Sequence, residues 1–172
     1  CWAVAAVALV GALDDAQRQV LCFASGIDTA HATAQLLAQV FARHAHAGRD
    51  AGAVAEYSSE LGKRDRERTL ERFRRGRVQV LVTTDVLARG VDLPGVAAVL
   101  NLDCPRHVRT YVHRAGRTAR AGSVGHVYTL LNTHEVAAFR AMLRETGTAP
   151  DALHTQYYTK ADIERIRAQY LG

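Results

Sequence analysis

At 172 residues, 48% hydrophobic and 6% aromatic, the chain is sized for one domain with a core of its own and excludes a disordered or disulfide-built class. Its three cysteines, Cys1, Cys22 and Cys104, form no CxxC pair, which argues against a disulfide framework or a zinc site and for a reducing compartment. The net charge is +5, and residues 63–77, KRDRERTLERFRRGR, carry all of it with eight basic against three acidic groups.

In chain order, the first ten residues, CWAVAAVALV, are apolar, and the run ends at Asp14-Asp15. It is too short to span a bilayer and lacks a basic leader for secretion, so residues 1–14 read as an N-terminal segment or helix. The absence of an initiating Met points to a piece of something longer. Residues 20–23 are a short apolar run closed by Ser25-Gly26, a buried strand. Ala30, Ala34, Leu37 and Phe41 recur at helical spacing over 28–43, with Asp28 or Thr29 as N-cap. Residues 53–57 are a weaker strand. Leu70 and Phe73 inside a charged shell predict an amphipathic helix over 63–75, stopped at Gly76. Residues 78–83 and 96–102 read as strands, 107–115 as a helix and 126–131 as a last strand. Val136, Phe139 and Leu143 share one face of a core helix over 135–144. Residues 146–160 read as loop and 162–170 as a terminal helix.

Strands that are continuous apolar runs, alternating with helices, predict an α/β fold: a mostly parallel sheet with helices on both faces. In such sheets ligands gather at the carboxyl ends of strands. Two polar clusters fall there, residues 84–92 and 103–122. The domain proper is read as 15–145, with 146–172 as a C-terminal loop and helix.

The first cluster is TTDVLARGVD, 83–92. Thr83 and Thr84 bring hydroxyls able to bond a phosphate oxygen. Gly90 permits a close backbone approach. Arg89, between Asp85 and Asp92, is placed to be held by ion pairs, and Asp92 to accept from a sugar hydroxyl. The competing reading is a strand-to-loop turn with a structural ion pair. The second cluster is HRAGRTAR, 113–120. If helical, His113, Arg117 and Arg120 lie along one stripe. Guanidiniums so grouped repel one another unless an anion sits among them, and the arginine fork suits a phosphoryl group. Gly116 and Gly122 allow tight turns. The competing reading is an exposed basic helix. Over 106–120 five arginines stand with no acid, so the chain carries two local positive fields, a pattern suited to a polyphosphate partner. For 63–77 a solvated helix face is the even alternative.

Together and in this order, the clusters resemble the DEAD-box family of ATP-dependent RNA helicases, over its second RecA-like domain. LCFAS (21–25) resembles motif IV, KRDRERTLERF (63–73) motif IVa, TTDVLARGVD motif V and HRAGRTARAG (113–122) motif VI. VLNLDCP (99–105) is similar to the family's V-x-N-x-D-x-P strand. The resemblance implies a RecA-like three-layer domain. It implies that Arg117 and Arg120 face the γ-phosphate of ATP, with Arg117 the better finger, and that Asp92 contacts the ribose. His113 and Arg114 would couple the domain to its partner. Thr84, Gly90 and Arg66 would touch the RNA backbone, and Asp85 and Arg89 would hold the motif V loop. Lys63 stands where the family usually has glutamine, and Ala119 where it often has glycine. AEYSSELG, RTYVHRAGRTARAGSVGHVYTLL and ETGTAP resemble a subgroup acting in large-ribosomal-subunit assembly.

The chain has no GxxxxGK[ST] and no Asp-Glu-Ala-Asp run. In the family those hold the triphosphate and Mg²⁺ on the first RecA-like domain. The resemblance thus implies the C-terminal half of a helicase core, inactive by itself, with no metal site of its own. Its implied partners are RNA, the first RecA-like domain and ribosome-assembly factors, with no membrane. Its implied location is intracellular: nucleus or nucleolus in the ribosome-assembly subgroup, cytoplasm otherwise. The alternatives are a stand-alone RNA-binding or scaffold module and a DNA-directed relative. His44 and His46 read as solvated helix-end histidines, Tyr157 and Tyr158 as tail packing on the core, and Cys22 as an inert buried thiol.

Overall fold

The computed structural model describes residues 5–6, 9–10, 19–43, 51–88, 93, 96–120, 124–148 and 153–171. Among the described residues five strands form one sheet: β1 (Val20–Phe23), β2 (Val54–Tyr57), β3 (Val80–Thr83), β4 (Ala98–Asn101) and β5 (His126–Thr129), in the order β2-β3-β1-β4-β5 with every pairing parallel. Among the described residues the helices α1 (Ile27–Arg43), α2 (Lys63–Arg74), α3 (Val108–Ala115), α4 (Val136–Glu145) and α5 (Lys160–Leu171) accompany them. The apolar runs of β1, β3 and β4 are buried along their whole length. Alternate residues therefore feed two separate cores. Val20, Cys22, Val80, Val82, Ala98 and Leu100 pack with α1 through Ala30, Ala34, Leu37 and Phe41. Leu21, Phe23, Leu81 and Val99 pack on the other face with Leu70 and Phe73 of α2. Ala6 and Val10 join the α1-side cluster, and Tyr170 of α5 packs against it. Segments from both ends of the chain thus close over the same face.

The order of elements matches the expectation, with differences at their ends. Helix α1 begins at Ile27, so Asp28 lies in its first turn rather than at the N-cap. Thr29 lends its carbonyl to the buried Thr33 hydroxyl at 2.6 Å. Helix α2 ends as its sequence predicts. Gly76 has φ 71°; its N–H donates to the Phe73 carbonyl and the Arg77 N–H to the Arg72 carbonyl, both at 2.9 Å. This is the Schellman closure, which requires a left-handed residue after the cap. Helix α5 opens on a reciprocal cap, with the Thr159 N–H donating to Asp162 and the Asp162 N–H to the Thr159 hydroxyl. The Thr159 hydroxyl and N–H, both donating to the Asp162 carboxylate, hold that carboxyl below its ordinary value. Among the described residues no helix is long and apolar enough to cross a membrane.

Tyr157 and Tyr158 do not pack on the core as expected; they are 66% and 36% exposed. The extended stretch before α5 is tethered instead by polar bonds, such as Arg140 Nη2 to Thr155 Oγ1 at 3.0 Å. His44 and His46 lie outside the described residues.

Two positions with positive φ test the backbone account. A methyl group added at Gly76 would meet no atom within 4 Å, so Gly76→Ala carries backbone strain alone. Ala119, at φ 54°, carries that strain already. Gly76→Ala is expected to cost about 1 kcal/mol and Ala119→Gly to recover a similar amount. Thermal unfolding should show opposite shifts of about 2–4 °C.

The α5 cap carries a pH signature. A carboxyl whose folded pKa is depressed contributes stability above its unfolded value and loses it as pH falls through the folded value. Far-UV circular dichroism should show Asp162→Asn with less helix than the native chain at neutral pH, the difference closing on the acid side of the carboxylate range.

Candidate functional site

The carboxyl ends of β1, β3, β4 and β5 lie side by side, and one side chain ties them together. Arg114, in the last turn of α3, is 1% exposed. Its Nε donates to Asp85 Oδ1 at 2.7 Å and its Nη2 to Asp85 Oδ2 at 3.0 Å, a two-pronged bond. Its Nη1 donates to Asn101 Oδ1 at 3.2 Å and lies 3.5 Å from Asp103 Oδ1. The guanidinium carbon sits 5.3 Å from the centre of the Phe23 ring. Asn101 in turn donates to Thr129 Oγ1 at 3.0 Å. Asp103 accepts from the Ser25 N–H and the Ser25 hydroxyl, both at 2.6 Å.

Arg114 is turned inward, where Asp85 and Asn101 meet its donors. Asp85 is paired across the sheet with Arg114. Arg89, Gly90 and Asp92 lie outside the described residues. Thr83 is likewise not available to a phosphate: it is fully buried, and its hydroxyl donates to the Tyr57 carbonyl at 2.7 Å. Thr84, one residue on, is half-buried.

The stripe of His113, Arg117 and Arg120 does not form, because α3 ends at Ala115. The N–H groups of Arg117 and Thr118 reach back three residues, to Arg114 and Ala115. Thr118 then pairs with Val96 as a parallel bridge; its hydroxyl is held by the Val96 and Ala97 carbonyls. Gly125 must stay without a side chain here, since a Cβ would stand 2.1 Å from Thr118 Oγ1. The left-handed turn falls on Ala119 and not on Gly116, whose φ is −66°. Arg117 and Arg120 thus lie on a turn anchored through Arg114 and Thr118. His113 is exposed on α3, and Arg117 and Arg120 are half-buried. Arg120 donates from Nε to the Gly116 carbonyl and from Nη1 to the Leu93 carbonyl, both at 2.9 Å.

The other basic field opens α2. Lys63, Arg64 and Arg68 are exposed and Arg66 half-buried, with Asp65 and Glu67 between them. Further along, Glu71 pairs with Arg75 at 2.8 Å, and Arg72 caps the Gly52 carbonyl. Part of the charge is therefore spent locally, while Lys63 and Arg64 of the first turn stay exposed. Cys22 is fully buried and its thiol is pushed up to about 12 by desolvation, an inert group as expected. Among the described residues no group of three or more His, Cys, Asp or Glu is placed to hold a metal ion.

The strand ends thus carry a clamp and an arginine-bearing turn joined through Arg114. Residues 5–122 match the helicase conserved C-terminal domain, and the chain belongs to that family. Among its members it is a C-terminal domain of the DEAD-box RNA helicase type. The chain is 41% identical over 152 residues to the ATP-dependent RNA helicase DDX51 of Mus musculus, covering 88% of this chain and 22% of that protein. The C-terminal domain of the DEAD-box protein Dbp5 superposes with a TM-score of 0.68 at 27% identity, over 85% of this chain and 78% of that one. Dbp5 of S. cerevisiae bound to RNA and ADP BeF3 superposes with a TM-score of 0.70 at 25% identity, over 99% of this chain and 41% of that one. The chain spans about a fifth of the length of the curated relatives it matches.

The clamp yields a stability test. Asp85→Asn strips Arg114 of its forked carboxylate while Asn101 and Asp103 remain. It is expected to cost about 3 kcal/mol, the low end for uncovering a buried charge, measured as a lower urea midpoint with an unchanged slope.

Proposed function

We propose that this domain completes the ATP site of a two-domain RNA helicase and supplies part of its RNA-binding surface. The observation that carries the reading is the turn at 116–120, fastened through Arg114 and Thr118 and bearing Arg117 and Arg120. Arg117 acts as the arginine finger, stabilising charge on the γ-phosphoryl group as it transfers. Asp92 contacts the ribose. His113, exposed on α3, contacts the first RecA-like domain, and Arg89 and Asp85 hold the 84–92 loop. ATP is the substrate; its triphosphate and Mg²⁺ rest on the first RecA-like domain, which carries the phosphate-binding loop. Closure of the two domains brings Arg117 to that phosphate, and reopening withdraws it.

RNA lies against Thr84, Gly90 and the first turn of α2, with Arg66 on a phosphate. Backbone contacts of this kind read little sequence. The likeness to Dbp5 bound to RNA and ADP BeF3 supports both ligands. Alone, the domain neither hydrolyses ATP nor unwinds RNA. The resemblance of AEYSSELG and ETGTAP to the ribosome-assembly subgroup supports that assignment, with assembly factors as partners and the nucleus or nucleolus as location. One observation favours a scaffold reading instead: Arg120 spends two donors on its own chain's carbonyls.

Arg117→Ala in the two-domain helicase separates these readings. RNA-stimulated ATPase is expected to fall about a thousandfold; an unchanged rate would leave the scaffold. In the isolated domain, Arg66→Ala should weaken RNA binding and reduce the slope of log affinity against log salt by about one. An unchanged slope would remove Arg66 from the RNA surface.

A further inference from the structure

The clamp around Arg114 has a component that none of these roles uses. Asp103 lies beyond the end of β4 and is held by Ser25, just after β1, through both the main-chain N–H and the hydroxyl. The same carboxylate oxygen that takes the Ser25 hydroxyl stands 3.5 Å from Arg114 Nη1. Asp85 occupies the other two donor positions of the guanidinium. Arg114 is therefore flanked by one carboxylate from the β3 end and another from the β4 end. Asp103 is itself fastened by the β1 end.

The chain just after Arg114 gives this clasp a consequence. The Arg117 N–H donates to the Arg114 carbonyl at 3.1 Å, and the Arg117 carbonyl accepts from the Val96 N–H at 3.1 Å. The last turn of α3 and the backbone of Arg117 are thus fixed relative to each other. A change in the seat of the Arg114 guanidinium is transmitted to Arg117 over a single turn. The Val96 bond holds the far side of Arg117 but leaves the α3 side dependent on Arg114.

We propose that Asp103, clasped by Ser25, is a positioning residue for ATP hydrolysis: it seats Arg114 so that Arg117 is presented in its productive place. The inference rests on the arginine-finger reading above. Asp103 touches neither nucleotide nor RNA and acts through Arg114. Asp85 and Asn101 hold the guanidinium in the fold by hydrogen bonds; Asp103 sets its angle, because its charge stands 3.5 Å from the same Nη1 that Asn101 bonds.

The test is kinetic, on the two-domain helicase with saturating RNA. Asp103→Asn is expected to lower kcat about ten- to hundredfold, the scale of a small misplacement of a catalytic group. KM for ATP is expected to change less than about twofold, since the first domain holds most of the nucleotide. Ser25→Ala removes only the hydroxyl and should give the same pattern at smaller size. It also carries the test should Asp103→Asn fold poorly. The decisive arm repeats both variants in an Arg117→Ala background. There the kcat effect disappears if Asp103 works through the finger, whereas a merely structural role lowers the rate by the same factor in both backgrounds. Unchanged kcat in both single variants, or a loss that persists with Arg117 absent, overturns the proposal. A helicase whose rate ignores Arg117→Ala fails earlier, at the finger itself, and takes this inference with it.

Discussion

A guanidinium withdrawn from water costs several kcal/mol unless its donors are met and its charge is answered. Arg114 is 1% exposed and satisfies both conditions at once, with Asp85 in a fork, Asn101 on the third nitrogen and the Phe23 ring close by. Its partners sit at the ends of different strands, Asn101 closing β4 and Asp85 two residues past β3. The ends of β3 and β4 must therefore be in register before the charge can be buried, and Thr129 of β5 and Ser25 after β1 are drawn in through Asn101 and Asp103. The sheet supplies the positions, and the buried charge makes them interdependent.

That interdependence shapes the surface. A loose basic turn would cost conformational entropy each time it met a phosphate. Here Arg114 and Thr118 hold the turn, and Ala119 accepts a left-handed conformation within it. Such fixed cations suit the stabilisation of developing charge, which rewards groups that need not reorganise. Arg120 is restrained further by two carbonyls. The first turn of α2 is the opposite case. Lys63 and Arg64 there are exposed on long side chains, suited to a backbone whose charges repeat and whose bases need not be read.

The fold was largely legible because buried parallel strands are apolar throughout and helices keep a 3.6-residue period. Gly76 announced the end of α2 by its type. The errors fall where side chains replace pattern. Thr83 and Thr84 look equivalent in sequence, but β3 buries the first against the Tyr57 carbonyl and releases the second. Asp85 meets Arg114, 29 residues on; no spacing rule reveals a bond set by strand order. Helical spacing put His113, Arg117 and Arg120 on one stripe, but α3 stops at Ala115, and the bridge of Thr118 to Val96 turns the chain away. The Ser25–Asp103 clasp left only a trace, an acid directly after an apolar strand.

The central claim is that a buried arginine holds a second one ready to serve a nucleotide on another domain. A structure of the two-domain helicase with RNA and a γ-phosphate mimic measures both parts together. The Arg117 guanidinium is expected about 2.7–2.9 Å from the mimic, with Arg114 still forked on Asp85. Arg117 turned away from the mimic, or Arg114 released from Asp85 to reach across the cleft in its place, would contradict the claim.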